Sequence, residues 1–387
     1  MINPLLLLKA APLAALLAFC TPLDALAPSA PAVESITVEQ LTALLAADEG
    51  KTDADIAANL GKVQLSERVS SARFARMSAG LPGEKSRQAL AILADSAALL
   101  GPPVAEVLSN PTPDAAALRR MMVVIVDYAN SKTHQLPNFV AIRTTTAFED
   151  RPAEDRVGEG GVGMVSLSAL PTRFVGTATS SITYRDGREV VDGKSAPRMG
   201  SHAQGLVTAG EFGPFLSTVL ADAAAGKTTW GQWVQGTSGP EAVYRKSVPR
   251  KQSNYVVRFC CVAEHASKSF TTHVFSEQVA YHGEIQFDPA SGAILRITAE
   301  AELPRGDLVS GASMVVSYLP VQIGARTVIL PAHSVSLLQA HTARPRHGMT
   351  SPAYTTPPKT FLNDTVFDQY REYRGEVRVL TGENGAP

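Results

Sequence analysis

From Ala280 to Leu303 the chain reads AYHGEIQFDPASGAILRITAEAEL, two alternating runs of apolar and polar residues around DPASG. Tyr281, Ile285 and Phe287 share one side of the first run, with His282, Glu284 and Gln286 on the other. In the second run Leu295, Ile297, Ala299, Ala301 and Leu303 alternate with Arg296, Thr298, Glu300 and Glu302. A period of two sends successive side chains to opposite faces of a strand, so the pattern predicts an antiparallel pair with one sheltered face. Asp288 can bond the backbone two residues on, Pro289 presets φ and Gly292 accepts positive φ, which suits a turn closed by a bulge.

Residues 33–133 follow a helical period instead. Thr37 and Gln40 form a capping-box pair ahead of Leu41, Leu44 and Leu45. Thr52 and Asp53 open a second helix through Ile56 and Leu60, and Ser66 is expected to cap a third that carries Val69, Phe74 and Met77. The stretch LPGEKSRQALAILADSAALLGPP starts at a Pro-Gly break and stops at Gly-Pro-Pro. Thr112, Pro113 and Asp114 then offer a cap, a Pro at the first helical position and an acid in the first turn. The helix that follows runs through Leu118, Met121, Met122, Ile125 and Tyr128. These segments predict a small bundle, or helices that lie along another surface.

From LPNFVAIRTTTAFED onward Thr, Val, Ile and Phe dominate, and residues 134–382 read as strands. Val140, Ile142 and Phe148 are expected on one face of the first strand. Asp186-Gly187 marks a tight hairpin, and Gly324 divides two strands. Tyr255, Val257, Phe259 and Cys261 alternate with polar neighbours. HTARPRHGMTSPAYTTPPKT is expected to be a loop, and FDQYREYRGEVRV a last strand. One helix interrupts the series, within TAGEFGPFLSTVLADAAAGKTTWGQWVQG.

Composition adds bounds. With 45% hydrophobic and 18% charged residues in 387, the chain is ordinary globular material, long enough for about two domains. A net charge of −1 without a basic cluster speaks against a nucleic-acid partner. The first 32 residues have an apolar core of about ten after Lys9, followed by small residues, the pattern of a secretory signal peptide. Cleavage is expected after Ala30-Pro31-Ala32, and no later stretch is apolar and long enough to span a membrane. Phe19 before Cys20 disfavours lipid anchoring at that Cys. Only Cys260 and Cys261 remain after export, so no disulfide framework exists.

Candidate chemistry is sparse. GEGGVG at 158–163 fits a dinucleotide motif in letters, yet it follows EDRPAEDRV and has no strand–turn–helix around it. The eight His show no metal-binding spacing; His265 and His273, near Cys260 and Cys261, could meet across a hairpin. No nucleophile-elbow motif occurs. No catalytic residue, metal or cofactor is therefore expected. Phe212, Phe215, Trp230 and Trp233 are the candidate ligand-binding residues, because clustered aromatic rings bring large apolar contact area; sealing one end of a sheet core is the competing role.

Five stretches resemble a group of exported acidobacterial proteins: LPNFVAIRTTTAFED, TAGEFGPFLSTVLADAAAGKTTWGQW, GEIQFDPASGAILRI, VQIGARTVILP and FDQYREYR. The FDPASGAILRI hairpin is further similar to the strand–D-P-x-[ST]-G–strand hairpin of the outer-membrane lipoprotein carriers, the LolA-like fold. That resemblance implies a curved antiparallel half-barrel sheet at 134–382 with a covering helix; the carriers lack a helical region like the one read at 33–133, and the two parts together make an α+β protein. It also implies an exported, periplasmic envelope protein that holds a lipid or a lipoprotein's acyl chain in an apolar groove, without catalysis. The alternatives are a scaffolding or interaction protein whose core is filled by its own helix, and an enzyme of unrecognised type.

Overall fold

The computed structural model describes residues 34–133, 136–150, 172–185, 188–190, 214–266, 269–304, 308–344 and 354–372. The expected signal peptide at 1–32, Cys20, the 158–163 stretch, Asp186-Gly187 and Phe212 lie outside them.

The N-terminal part forms a compact unit from β1 (Glu34–Ile36), α1 (Val38–Ala47), α2 (Asp53–Leu60), β2 (Val63–Leu65), α3 (Ser71–Ala79) and α4 (Glu84–Ser96). Its apolar positions meet as predicted: Leu41, Ile56, Leu60, Leu90 and Leu93 are buried in one cluster. Thr37 and Gln40 make the full capping box of α1, and Thr52 caps α2. Asp53 does a second job. Its carboxylate accepts from the Lys85 and Ser86 amides and the Ser86 hydroxyl, so it caps α4 from another helix. Ser66 does not cap α3, which starts five residues later; its hydroxyl and amide bond the Ile36 carbonyl and pin the short parallel pair β1–β2.

Past this unit come β3 (Val107–Leu108), α5 (Ala115–Thr133), β4 (Phe139–Glu149), β5 (Arg173–Arg185), β6 (Arg188–Val190), α6 (Pro214–Ala225), β7 (Lys227–Gln235) and β8 (Pro240–Val248). They continue with β9 (Val256–Ala266), β10 (Ser269–Gln278), β11 (Ala280–Phe287), β12 (Ile294–Glu302), β13 (Val309–Ile323), β14 (Arg326–Arg344) and β15 (Tyr354–Glu372). Asp114, not Thr112, caps α5: its side chain accepts from the Ala117 amide at 2.6 Å. Eleven strands form one open antiparallel sheet in the order β3-β7-β8-β11-β12-β13-β14-β15-β4-β5-β6. Among the described residues β9 and β10 pair with each other alone, in a separate ribbon. The chain is thus a mixed α+β protein, as its patterning implies.

Both faces of the sheet are occupied. Phe215, Val219 and Ala223 of α6, spaced four apart, and Ile125 of α5 pack on Tyr244, Tyr281, Ile285, Phe287, Ile297 and Val316. The β9–β10 ribbon adds Val257, Phe259 and Phe275 against Leu338, Ala340 and Phe361. On the opposite face, Arg68 donates to Gln286 at 3.1 Å and Arg296 to the Ala98 carbonyl, which docks the α1–α4 unit. A single layer of strands is therefore too simple a description: the sheet is the middle of three layers. Phe139 and Ala141 are fully buried with Ile182, Tyr184 and Phe367, while Val140 and Ile142 are half-buried, so the most buried positions at the start of β4 are the alternate ones to those expected. Of the expected loop at 341–360, residues 341–344 and 354–360 are strand and 345–353 lie outside the described residues; Pro358 opposes His341 beside a register shift, a place where a missing N–H is tolerated.

The DPASG turn holds the layers in register. Asp288 accepts from the Ala290 and Ser291 amides and the Ser291 hydroxyl, and Leu295 is the bulged residue, which lets Ile294 face Phe287. Gly292 has φ +75°, and a Cβ there would lie 2.4 Å from the Val124 carbonyl oxygen of α5. Gly292→Ala combines positive-φ strain with a backbone clash, so it is expected to destabilise by about 3 kcal/mol. Gly50 has φ +83° but open space around it, so Gly50→Ala should lose only about 1 kcal/mol. Urea denaturation of the two variants measures the difference; equal losses would show that the α5 contact contributes nothing.

Candidate functional site

Of the residues expected to bind a ligand, Phe215 is buried in the α6–sheet core. Trp230 and Trp233 come together with ring centroids 5.0 Å apart, edge to face, and both pack against that core half-buried. A bulge in β7 keeps them on one side of the sheet despite their odd spacing. Trp230 also meets Tyr244 edge to face, and Trp233 donates its indole N–H to the Pro111 carbonyl at 2.9 Å. These contacts tie α5, its preceding loop and β7–β8 together.

Beneath α6 lies a buried polar network. Asp222 is fully buried; it accepts from the Asn254 amide at 2.9 Å, the Asn254 side chain at 2.6 Å and the Tyr281 hydroxyl at 3.0 Å. Burial, then the charge of Asp222, pushes the Tyr281 hydroxyl up, so it stays a donor. Lys246 is 2% exposed, and its ammonium nitrogen stands 4.1 Å from the Tyr281 ring centroid with no hydrogen-bond partner. Burial lowers the Lys246 amine to about 7, against the pull of Asp222. The ring geometry favours the cation, but loss of water outweighs it because a buried ammonium without acceptors is costly. Asp222, Lys246 and Tyr281 are buried among apolar neighbours, with Asn254 at the exposed edge.

A cleft open to solvent lies in the N-terminal unit, between the end of α1 and α3. It encloses about 700 Å³ and is lined by Leu45, Ala46, Ile56, Met77, Leu81 and Pro82, with charges at its margin. Asp48 bonds Lys51 at 2.6 Å and Asn59 at 2.9 Å, and these bonds, the Asn59 one foremost, hold its carboxyl below the usual range. Arg73 is paired with Glu39 and Glu106, each at 2.9 Å. Arg76 donates only to the Ala72 carbonyl and has no carboxylate partner among the described residues. The cleft exists because α3 packs loosely: Phe74 and Met77 are half-buried and none of its nine residues is fully buried.

His265 and His273 are not opposite each other; the register pairs His265 with Phe270 and His273 with Val262. A different group has metal-ligand composition: Asp95 of α4, His333 of β14 and Asp364 of β15. Sequence spacing does not reveal it, since its members come from three separate elements. No helix among the described residues is long and apolar enough to cross a membrane. Compared with family models, with curated proteins and with solved structures, the chain matches none, so a functional reading rests on its own geometry.

Proposed function

We propose that this is an exported, non-enzymatic envelope protein that binds a lipid or lipidated partner, and that the acyl chain enters the cleft between α1 and α3. The observation that carries the reading is the pairing of an apolar floor with one unpaired cation. Leu45, Ile56, Met77 and Leu81 offer apolar surface, and Arg76 stands at the margin for an acidic head group. The volume of about 700 Å³ falls within the range of small-ligand sites. Each buried methylene contributes roughly 0.8 kcal/mol, so one chain supplies useful affinity with a single ionic contact. The α6–sheet face is the weaker candidate, because Phe215, Trp230 and Trp233 spend their surface on internal contacts.

A second reading has its own support. Three packed layers and a filled α6–sheet core suit a scaffolding protein with no small ligand. Titration with a fluorescent palmitate analogue separates the two. Saturable binding is expected, weakened at least tenfold by Met77→Lys and less by Arg76→Ala, with Trp233→Phe unaffected. Absence of binding, or equal binding by Met77→Lys, would leave the scaffold as the better account.

A further inference from the structure

We infer that Asp95, His333 and Asp364 form a divalent-cation site that clamps the N-terminal helical unit to the sheet. His333 Nε2 lies 2.8 Å from Asp364 Oδ1 and 3.7 Å from Asp95 Oδ1, and one donor atom from each residue falls within 4.8 Å of the others. Four-coordinate zinc with bonds of about 2.1 Å holds its donors roughly 3.4 Å apart, so small side-chain shifts complete the cage. The donors also come from rigid elements: Asp95 from the last turn of α4, the other two from adjacent central strands.

A second observation points to a ligand. The Asp95 side chain is 7% exposed, and its Oδ2 is buried with no hydrogen-bond partner. An ion triad with a protonated His333 accounts for the contacts of Nε2, but it leaves that oxygen orphaned. A buried acceptor without a partner costs about 1–3 kcal/mol, and a bound cation removes the deficit. Burial, then Asp364, pushes Asp95 up, while the Asp364 bond and Asp95 raise His333 against its burial.

The donor set selects the metal. One imidazole with two carboxylates suits Zn²⁺ or Mn²⁺; Mg²⁺ and Ca²⁺ prefer all-oxygen sites, and Cu⁺ prefers sulfur. With three protein donors, water fills the next position. His333 is about one-third exposed, so ions and water can reach it.

The test uses the full mature chain stripped with chelator, titrated with Zn²⁺, Mn²⁺ and Mg²⁺ by calorimetry and followed by thermal melting. One equivalent of Zn²⁺ or Mn²⁺ is expected to bind and raise the melting temperature, with Mg²⁺ at least tenfold weaker. His333→Gln and Asp364→Asn should each weaken binding at least tenfold; Asp95→Asn, which keeps shape, guards against loss through misfolding if its metal-free melting matches the wild type. X-ray absorption should show nitrogen and oxygen neighbours. No binding, undiminished binding in His333→Gln, or sulfur neighbours near 2.3 Å pointing to the Cys pair would overturn the assignment.

Discussion

Asp222→Ala is expected to lower the stability of the sheet unit by about 4 kcal/mol, the loss typical of breaking a buried, fully bonded charged group. Three donors lose their acceptor at once: the Asn254 amide, the Asn254 side chain and the Tyr281 hydroxyl. The Tyr281 hydroxyl is then a buried polar group without that acceptor, and Lys246 loses the one carboxylate that raises its amine. Asp222→Asn should lose less, about 2 kcal/mol, because one amide oxygen still accepts. Both Trp of the chain pack on this core, so tryptophan fluorescence during urea unfolding reports the change directly. A loss under about 1 kcal/mol for Asp222→Ala would show that water reaches the network and repairs it.

Lys246→Met should act in the opposite direction, and with a pH dependence of known sign. The amine titrates at about 7 in the folded chain, below its ordinary value of 10.5. Between those values the unfolded chain binds the extra proton, so folded wild-type protein gains stability as pH rises from about 7 toward 10. Methionine has no such proton. Its advantage over lysine is therefore largest at and below pH 7, several kcal/mol at most, and shrinks by about 1.4 kcal/mol per pH unit above it. Taking the difference between the two proteins cancels the titration of Tyr255 and Tyr281, whose hydroxyls burial pushes up. A difference that stays flat from pH 7 to pH 10 would mean the ammonium is charged throughout, held by the Tyr281 ring and Asp222.

The two networks show why site chemistry was harder to read than architecture. The sequence singled out aromatic residues because ring-rich clusters are conspicuous; three of those four are described, Phe215 buried in the core and Trp230 and Trp233 half-buried against it. Asp222, Lys246, Asp95 and Asp364 raised no expectation, since a lone acid or lysine in an alternating run looks like any solvated residue. Burial alone turns them into interacting groups, and burial depends on which element lies above them. His333 is the instructive case: it was one of eight histidines without recognised spacing, and its partners lie on α4 and β15.

What the amino-acid order determined by itself is local. The Thr37–Gln40 box, the Thr52 cap, the Asp288–Gly292 turn with its bulge and the period-two runs of β11, β12 and β9 all follow from interactions within a few residues. What only the tertiary structure decided is allegiance. It sent α5 away from the helical unit to the sheet, lifted β9–β10 out of the sheet as a second layer, and laid α4 across β14 and β15. An apolar stripe states that a face must be covered, not by what; hydrophobic attraction has no direction, and the choice among covers falls to the shape and polar pairing of the whole chain.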